Sequence, residues 1–106
     1  NNEGQINNTE SISAGLDYPG VSPIHCFLKD TKRARYTFAT DEEALKAHVM
    51  VTNLEKLNPS LEPSHAFAEA IRIAPKLSND TIIIVNSCGD AKKDRDILRE
   101  RLGLKK

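Results

Sequence analysis

A chain of 106 residues and 11.7 kDa is long enough for one hydrophobic core and too short for two. Its 15 basic and 15 acidic residues give zero formal charge and are dispersed, which excludes the basic stripe of a nucleic-acid or membrane-surface protein. Two cysteines are too few for a disulfide framework, and the longest apolar run, residues 82–85, is too short for a membrane span. These features predict a soluble, cytoplasmic protein of one domain with no nucleic-acid or membrane partner.

The amino-terminal residues differ in composition from the rest. Residues 1–10 contain four asparagines and one large apolar side chain, Ile6, so we expect a flexible stretch before a folded segment at 11–103. The chain begins with Asn1, and its one methionine is Met50. We therefore expect it to be part of a longer polypeptide.

Small residues, glycines and prolines dominate residues 11–23. This composition fits either a loop that wraps a site or an ordinary surface connection. Asp17 is the unexpected charge in this loop, and it needs a partner from elsewhere if it is buried. Ser22 followed by Pro23 predicts an N-cap and a short helix to about Lys29.

The next segment contains the clearest local signals. Arg35–Thr40 is aromatic and β-branched, which predicts a short strand. Thr40 and Glu43 have the spacing of a capping box, so a helix is expected from Asp41 to about Leu54. The helix's predicted buried stripe consists of Ala44, Leu45, Ala47, Val49 and Leu54.

Two prolines in Leu57–Pro63 predict a turn, followed by a helix whose last turn contains Pro75. Small residues predominate on one face of this helix, which predicts close packing against a neighbour. The residues of that face are Ala66, Phe67, Ala70, Ile71 and Ala74.

Thr81–Asn86 is a nearly continuous β-branched run, typical of a strand covered on both faces in a parallel sheet. A charged helix is predicted at about Lys92–Leu102, with Ile97, Leu98 and Leu102 as its apolar ridge and Gly103 as its C-cap. The order strand, helix, helix, strand, helix predicts an α/β fold. Because two strands make too small a sheet, we expect part of a larger one.

Candidate chemistry lies at the carboxyl end of the second predicted strand, in the polar turn 86–90. This turn fits an anion or a heterocycle, and equally an ordinary strand-to-helix connection. Cys88 has no histidine nearby in sequence, which disfavours nucleophilic catalysis. Glu62 is either a site carboxylate or a helix-start charge. The histidines, expected on the surface or in packing rather than as ligands, are His25, His48 and His65.

Several motifs resemble the C-terminal part of tryptophan synthase β chains. Residues 4–6 and the run SISAGLDYPGVSP at 11–23 are similar to a family stretch very like SISAGLDYPGVGP. The similarity continues through TDEEAL at 40–45, through PSLEPSHA at 59–66, which is similar to the family's PALESSHA, and into the strand ending at Asn86. It covers residues 4 to about 103, which correspond to only the last part of a full β chain.

The resemblance implies the C-terminal part of a three-layer, fold-type II pyridoxal-phosphate enzyme that joins L-serine and indole to make L-tryptophan, a lyase of tryptophan biosynthesis. It places Cys88 where the family has a serine bonded to the pyridine nitrogen, with Gly89 after it and Glu62 beside the cofactor. Asp17 matches a catalytic aspartate on the amino-acid side, whose expected partner is an arginine of the other domain.

The resemblance also implies a monovalent cation, such as sodium or potassium, bound by the backbone carbonyls of Leu16, Tyr18 and Gly20. The implied partners are the remainder of the β chain, a tryptophan synthase α subunit or fused α domain, and a second β chain in a homodimer.

The chain also departs from the family pattern. Lys56 replaces a usual glycine, Pro63 replaces a serine, and residues 90–94, DAKKD, replace RGDKD. No lysine follows a histidine and no glycines are adjacent, so the cofactor-attaching lysine and the phosphate loop are absent and this segment alone is expected to be inactive. The alternatives are a non-catalytic interaction module, which the altered turn and Cys88 favour, and a divergent pyridoxal-phosphate lyase or deaminase, which SISAGLDYPG disfavours.

Overall fold

Helices dominate the structure, a computed structural model that describes residues 10–16, 22–89 and 91–103. Its α-helices are α1 at Pro23–Asp30, α2 at Asp41–Glu55, α3 at Leu61–Ile73 and α4 at Arg95–Leu102. Single 3-10 turns occur at Ala14–Leu16, Ala74–Lys76 and Ala91–Asp94. The expected flexible stretch 1–10 lies almost entirely outside the described residues and stays a prediction.

The helix starts follow the local sequence signals. Ser22 caps α1 by accepting a hydrogen bond from the backbone N–H of Ile24 at 3.2 Å. At α2, Thr40 Oγ1 accepts from the Glu43 N–H at 3.2 Å, and the Thr40 N–H donates to Glu43 Oε1 at 3.0 Å. Both predicted caps are confirmed because each depends only on residues within one turn of the helix.

The buried face of α2 is only partly the predicted one. Ala44, Leu45 and Ala47 are buried as expected, and the helix packs mainly against α3. Val49 is 37% exposed and Leu54 is 72% exposed, so their predicted burial is wrong. Their places in the interior are taken by a second set of α2 residues, His48 and Val51.

Helix α3 begins inside the segment predicted to be a turn. Leu61 is its first residue and is fully buried, while Pro63 occupies the first turn, where a missing N–H costs no helical hydrogen bond. The predicted small-residue face is not the buried one: Ala66 is exposed, and Ile71 is 38% exposed. Instead, α3 buries its first turn, and Pro75 lies in the 3-10 turn after it, as expected.

The prediction of an α/β fold with a three-layer sheet is wrong for the part of the chain that the structure describes, since it contains helices and no strand. Arg35–Thr40 and Thr81–Asn86 are extended without ladder pairing. They lie beside α3 and line one cavity of about 350 Å³ with it. An extended segment becomes a strand only when a neighbouring strand pairs with its backbone hydrogen-bonding groups. A β-branched composition favours extended backbone but does not supply that neighbouring strand.

The core joins segments that are distant in sequence. The predicted Leu98 ridge of α4 is buried, and Ile97 and Leu102 pack partly against it. Gly103 ends α4 with φ +66°, which confirms the C-cap. A small cluster of buried apolar side chains holds the loop at 12–16, α3 and residues 91–98 together. Burial of each leucine in it contributes about 2 kcal/mol to the free energy of unfolding. Its members are Ile12, Leu45, Leu61, Ala91 and Leu98.

Candidate functional site

Three parts of the chain meet at the N-terminus of α3: residues 12–16, residues 60–64, and residues 88–89 with 91–94. At their centre lies the carboxylate of Glu62. The Gly15 N–H donates to Glu62 Oε1 at 2.9 Å. Lys93 Nζ donates to Oε1 at 2.9 Å and to Oε2 at 2.8 Å. Glu62 is therefore bonded to a loop 47 residues before it and to a turn 31 residues after it.

A second carboxylate, that of Asp94, bonds to Lys93 and to the start of α3. Asp94 is 4% exposed, and its Oδ2 accepts from the Leu61 N–H at 2.9 Å. Its Oδ1 accepts from Lys93 Nζ at 2.9 Å. Asp94 thus caps α3 from another segment, at the helix end where the dipole favours negative charge. The buried charge is both paired and hydrogen-bonded, as burial requires.

The side chain of Ser60, the residue in the N-cap position of α3, bonds to a distant turn and not to its own helix. Ser60 makes no side-chain bond to its own helix and instead donates its Oγ proton to the Cys88 carbonyl at 2.9 Å. Gly89 follows with φ +78°, and a Cβ placed there would lie 3.2 Å from Ser60 Oγ. The turn at 88–89 is therefore fixed against the first turn of α3, two residues before Glu62. The thiol of Cys88 is free and exposed.

Glu62 and Lys93 are both charged at neutral pH. Partial burial by itself raises the pKa of Glu62, but the hydrogen bonds from Lys93 and from the backbone outweigh it and hold that pKa below its ordinary 4.5. Burial likewise lowers the pKa of Lys93, while its bonds to Glu62 and Asp94 raise it above 10.5 on balance. The two side chains form an ion pair.

The structure brings together Glu62, Cys88 and Gly89, the residues matched to the cofactor side. Leu16 ends the 3-10 turn that contains Gly15, and its side chain is 45% exposed. The other predicted site residues, Asp17, Tyr18 and Gly20, lie outside the described residues, as does Asp90 of the altered turn. The cation site at Leu16 and its neighbours stays a prediction.

Sequence reasoning missed four members of this cluster: Gly15, Ser60, Lys93 and Asp94. A signal was present for two of them, because Lys93 and Asp94 keep the final lysine and aspartate of the RGDKD turn that residues 90–94 otherwise lose. Gly15 and Ser60 gave no separate signal, since their roles depend on contacts with chain 28 or more residues away.

The histidines are packing or surface residues, as predicted. Nδ1 of the buried His48 lies 2.9 Å from the Pro59 carbonyl, and Nδ1 of His65 lies 2.7 Å from the Leu61 carbonyl. The exposed His25 contacts the Tyr36 hydroxyl at 2.9 Å.

Among residues 10–16, 22–89 and 91–103, no group of three or more His, Cys, Asp or Glu side chains has the arrangement of a metal site. None of the helices described combines the length and apolarity needed to cross a bilayer.

Large apolar side chains are exposed on both extended segments. Phe38 is 86% exposed, Ile82 is 85% exposed and Ile84 is 90% exposed. A cluster of exposed apolar residues marks a surface that packs against other polypeptide. Together with a charged cluster that joins three segments, this surface defines the class of the molecule: a helical protein with a charged cluster at the start of one helix and exposed apolar side chains on two extended segments.

Curated tryptophan synthase β chains are similar to this chain over nearly its whole length. The tryptophan synthase beta chain of Bordetella petrii is 50% identical over 104 residues, which are 98% of this chain and 26% of that protein. The corresponding chain of Fusobacterium nucleatum is 49% identical over 102 residues, 96% of this chain and 26% of its own. That of Cereibacter sphaeroides is 52% identical over 101 residues, 95% of this chain and 25% of its own. No protein-family model matches the chain.

The chain is therefore homologous to tryptophan synthase β chains and matches their C-terminal part. This confirms the resemblance seen in the motifs. The chain spans about a quarter of the length of the curated relatives it matches.

Proposed function

We propose that these residues form one wall of the pyridoxal-phosphate pocket of a tryptophan synthase β chain. The complete chain replaces the hydroxyl group of L-serine with indole, giving L-tryptophan and water. The observation that carries the proposal is the cluster around Glu62, in which the residues matched to the cofactor side lie at one end of α3. The cofactor, when bound, supplies the electron sink for this replacement.

The chemistry of the donor set fits that cofactor. Cys88 presents an exposed, neutral thiol, which leaves a pyridine nitrogen unprotonated as a serine hydroxyl does. Glu62 presents an ionised carboxylate, and Gly89 has no Cβ to obstruct the turn beside Ser60. In this arrangement Cys88 and Glu62 hold the ring, while Ser60 and Gly89 keep Cys88 in place.

The remaining parts of the proposal concern residues and partners beyond the cluster. Asp17 acts on the amino-acid side, and the carbonyls of Leu16, Tyr18 and Gly20 bind sodium or potassium. The exposed apolar segments pack against the remainder of the β chain, and the complete protein forms a β homodimer with an α subunit or fused α domain in the cytoplasm. The exposed side chains of Phe38, Ile82 and Ile84 support the packing against the remainder of the β chain.

The test uses the complete β chain that contains these residues, loaded with pyridoxal 5′-phosphate and supplied with L-serine and indole. We expect tryptophan formation, and we expect none from the 106 residues alone. Asp17→Ala in the complete chain should lower turnover, whereas Asp30→Ala, at the end of α1, should not. A complete chain that forms no tryptophan, or a fragment that forms it unaided, contradicts the proposal.

A further inference from the structure

Lys93 bonds to both carboxylates of the Glu62 cluster. An ammonium group carries three N–H donors. Nζ of Lys93 is within 2.9 Å of three carboxylate oxygens, namely both of Glu62 and Oδ1 of Asp94. Because Asp94 is itself held by the Leu61 N–H, the ammonium is fixed from one side while it holds Glu62 on the other. Lys93 therefore joins the two carboxylates of the cluster through one ammonium group.

Glu62, in contrast, keeps an acceptor position free. An ionised carboxylate has about four acceptor positions, two on each oxygen. Oε1 accepts from Gly15 and from Lys93, whereas Oε2 accepts from Lys93 as its one side-chain donor among residues 10–16, 22–89 and 91–103. The side chain is also 23% exposed, so a donor reaches it from outside the cluster. The open acceptor of the cluster is thus on Oε2.

We propose that Lys93 is a positioning residue for Glu62: its ammonium fixes the direction of that carboxylate and leaves Oε2 as the acceptor for a donor group of the bound cofactor or substrate. This inference rests on the proposed function. Lys93 acts through Glu62 and does not touch the reacting atoms. Without the ammonium, the carboxylate keeps backbone donors such as the Gly15 N–H but loses its side-chain donor, and it turns more freely about its own side-chain torsions.

The test compares variants of the complete β chain, prepared without cofactor and titrated with pyridoxal 5′-phosphate. Lys93→Met removes the charge at similar length, and we expect it to weaken cofactor binding about tenfold, the size of one charge-assisted hydrogen bond. Lys93→Arg keeps a cation there and should restore binding to within about threefold of wild type. Lys92→Met is the matched control, since Lys92 lines a different cavity with His48 and Arg95; binding should be unchanged.

A double-mutant cycle separates positioning from general support of the fold. If Lys93 acts through Glu62, then Lys93→Met should weaken binding no further in a Glu62→Gln background. The absorption spectrum of the bound cofactor should shift in the same way in both single variants. A merely structural role would instead lower the urea midpoint of the cofactor-free protein equally in both backgrounds.

The outcomes distinguish this inference from the proposed function. If the wild-type complete chain binds no pyridoxal 5′-phosphate, both are contradicted. If it binds the cofactor and Lys93→Met binds it equally tightly, or if the losses from Lys93→Met and Glu62→Gln add in full, the role of Lys93 is refuted and the proposed function stands. Rescue by arginine together with non-additive losses supports both.

Discussion

The backbone N–H of Gly15 donates to Glu62 Oε1 at 2.9 Å, an approach so close that any side chain at this position would have to displace the Glu62 carboxylate. A Cβ at Gly15 would lie 2.6 Å from Oε1 and 2.8 Å from Cγ of Glu62. The backbone of Gly15 does not have a positive φ, so space rather than conformation requires glycine here. The loop and α3 therefore meet through a backbone donor and a carboxylate with nothing between them.

Gly15→Ala should displace the Glu62 carboxylate and weaken the cluster. The displaced carboxylate loses its bond from the Gly15 N–H and strains its bonds to Lys93, so we expect the free energy of unfolding of the complete β chain to fall by about 1 kcal/mol. Urea unfolding measures it. In a Glu62→Ala background the same change should cost much less, because the clashing atoms are gone. An equal cost in the two backgrounds would show that Glu62 is not what Gly15 has to accommodate.

The backbone at the end of α2 is strained at Lys56, and a glycine there would relieve the strain. Lys56 is its C-cap, with φ +57°, in the left-handed region that side chains disfavour and glycine adopts freely. Family members usually have a glycine there, so Lys56→Gly should raise the free energy of unfolding by about 1 kcal/mol. The substitution also removes the hydrogen bond that Lys56 Nζ donates to the Asn53 carbonyl, which is exposed to solvent and therefore weak.

Lys46→Gly is the matched control for that gain, since Lys46 is an exposed lysine inside the same helix. Glycine in a helix interior costs about 1 kcal/mol, so this variant should be destabilised. Urea unfolding and hydrogen exchange of α2 amides read out both changes. Destabilisation by both variants would contradict the account of Lys56.

Stability should fall at both pH extremes through the Glu62 and Lys93 pair. The pKa of Glu62 is lowered from 4.5 by its hydrogen bonds, so its contribution is present above that value and is lost as pH falls through the folded-state pKa. The pKa of Lys93 is raised from 10.5, so its contribution is present below that value and is lost as pH rises through the folded-state pKa. Because the Lys93 side chain is 47% exposed, solvent limits the pair to roughly 0.5–1 kcal/mol.

Urea unfolding as a function of pH measures this window. Glu62→Gln should remove the acid side of the profile and weaken the alkaline side, and Lys93→Met should remove the alkaline side and weaken the acid side, because each partner shifts the pKa of the other. Glu62→Gln/Lys93→Met should flatten both. Profiles that keep the wild-type slopes in these variants would exclude the pair as the cause.

The cap that Asp94 supplies to α3 should be worth more than an ordinary surface charge. Asp94→Ala removes the acceptor of the Leu61 N–H and one partner of Lys93 in a buried place, which we expect to cost about 2 kcal/mol of unfolding free energy. Asp96→Ala is the control: Asp96 is exposed in the first turn of α4, and its removal should change stability by less than about 0.5 kcal/mol. If Asp94→Ala and Asp96→Ala lowered the free energy of unfolding equally, the buried cap would contribute no more than an exposed charge.

Cys88→Ser should preserve or raise turnover in the complete β chain. A hydroxyl is a stronger hydrogen-bond partner than a thiol and is equally neutral, so it suits the pyridine nitrogen at least as well. Steady-state kinetics with L-serine and indole measure the change. Cys26→Ser, which alters the exposed cysteine of α1, should leave turnover unaltered. Abolished turnover in Cys88→Ser would remove Cys88 from its proposed place.

Prediction from sequence succeeded where the interaction was local. The capping box of Thr40 and Glu43 and the C-cap at Gly103 depend on backbone groups a few residues away, so their residue types are sufficient evidence. The family was also recognisable, because motifs such as SISAGLDYPG are long and occur in a fixed order. Glu62 and the turn with Cys88 and Gly89 were candidates from their positions next to predicted elements, and the motifs then implied their roles; neither source carries information about the contacts of these residues.

Prediction failed where the result depended on distant neighbours. The β-branched run Thr81–Asn86 has the composition of a strand, but no strand in the described residues completes its hydrogen bonds. Leu54 fits the apolar stripe of α2 and yet is 72% exposed, because no described segment covers it. A periodic pattern shows which face of an element is apolar and cannot show whether anything packs there.

The amino-acid sequence by itself determined the helix caps, the family and the residue types available for chemistry. Only the tertiary structure decided that Lys93, rather than solvent, neutralises Glu62, and that Asp94 caps a helix 33 residues before it. The physical reason is the range of the interactions: caps and turns close within one turn of the chain. The pairing of a buried or half-buried charge depends instead on which segments the core brings within about 3 Å of each other.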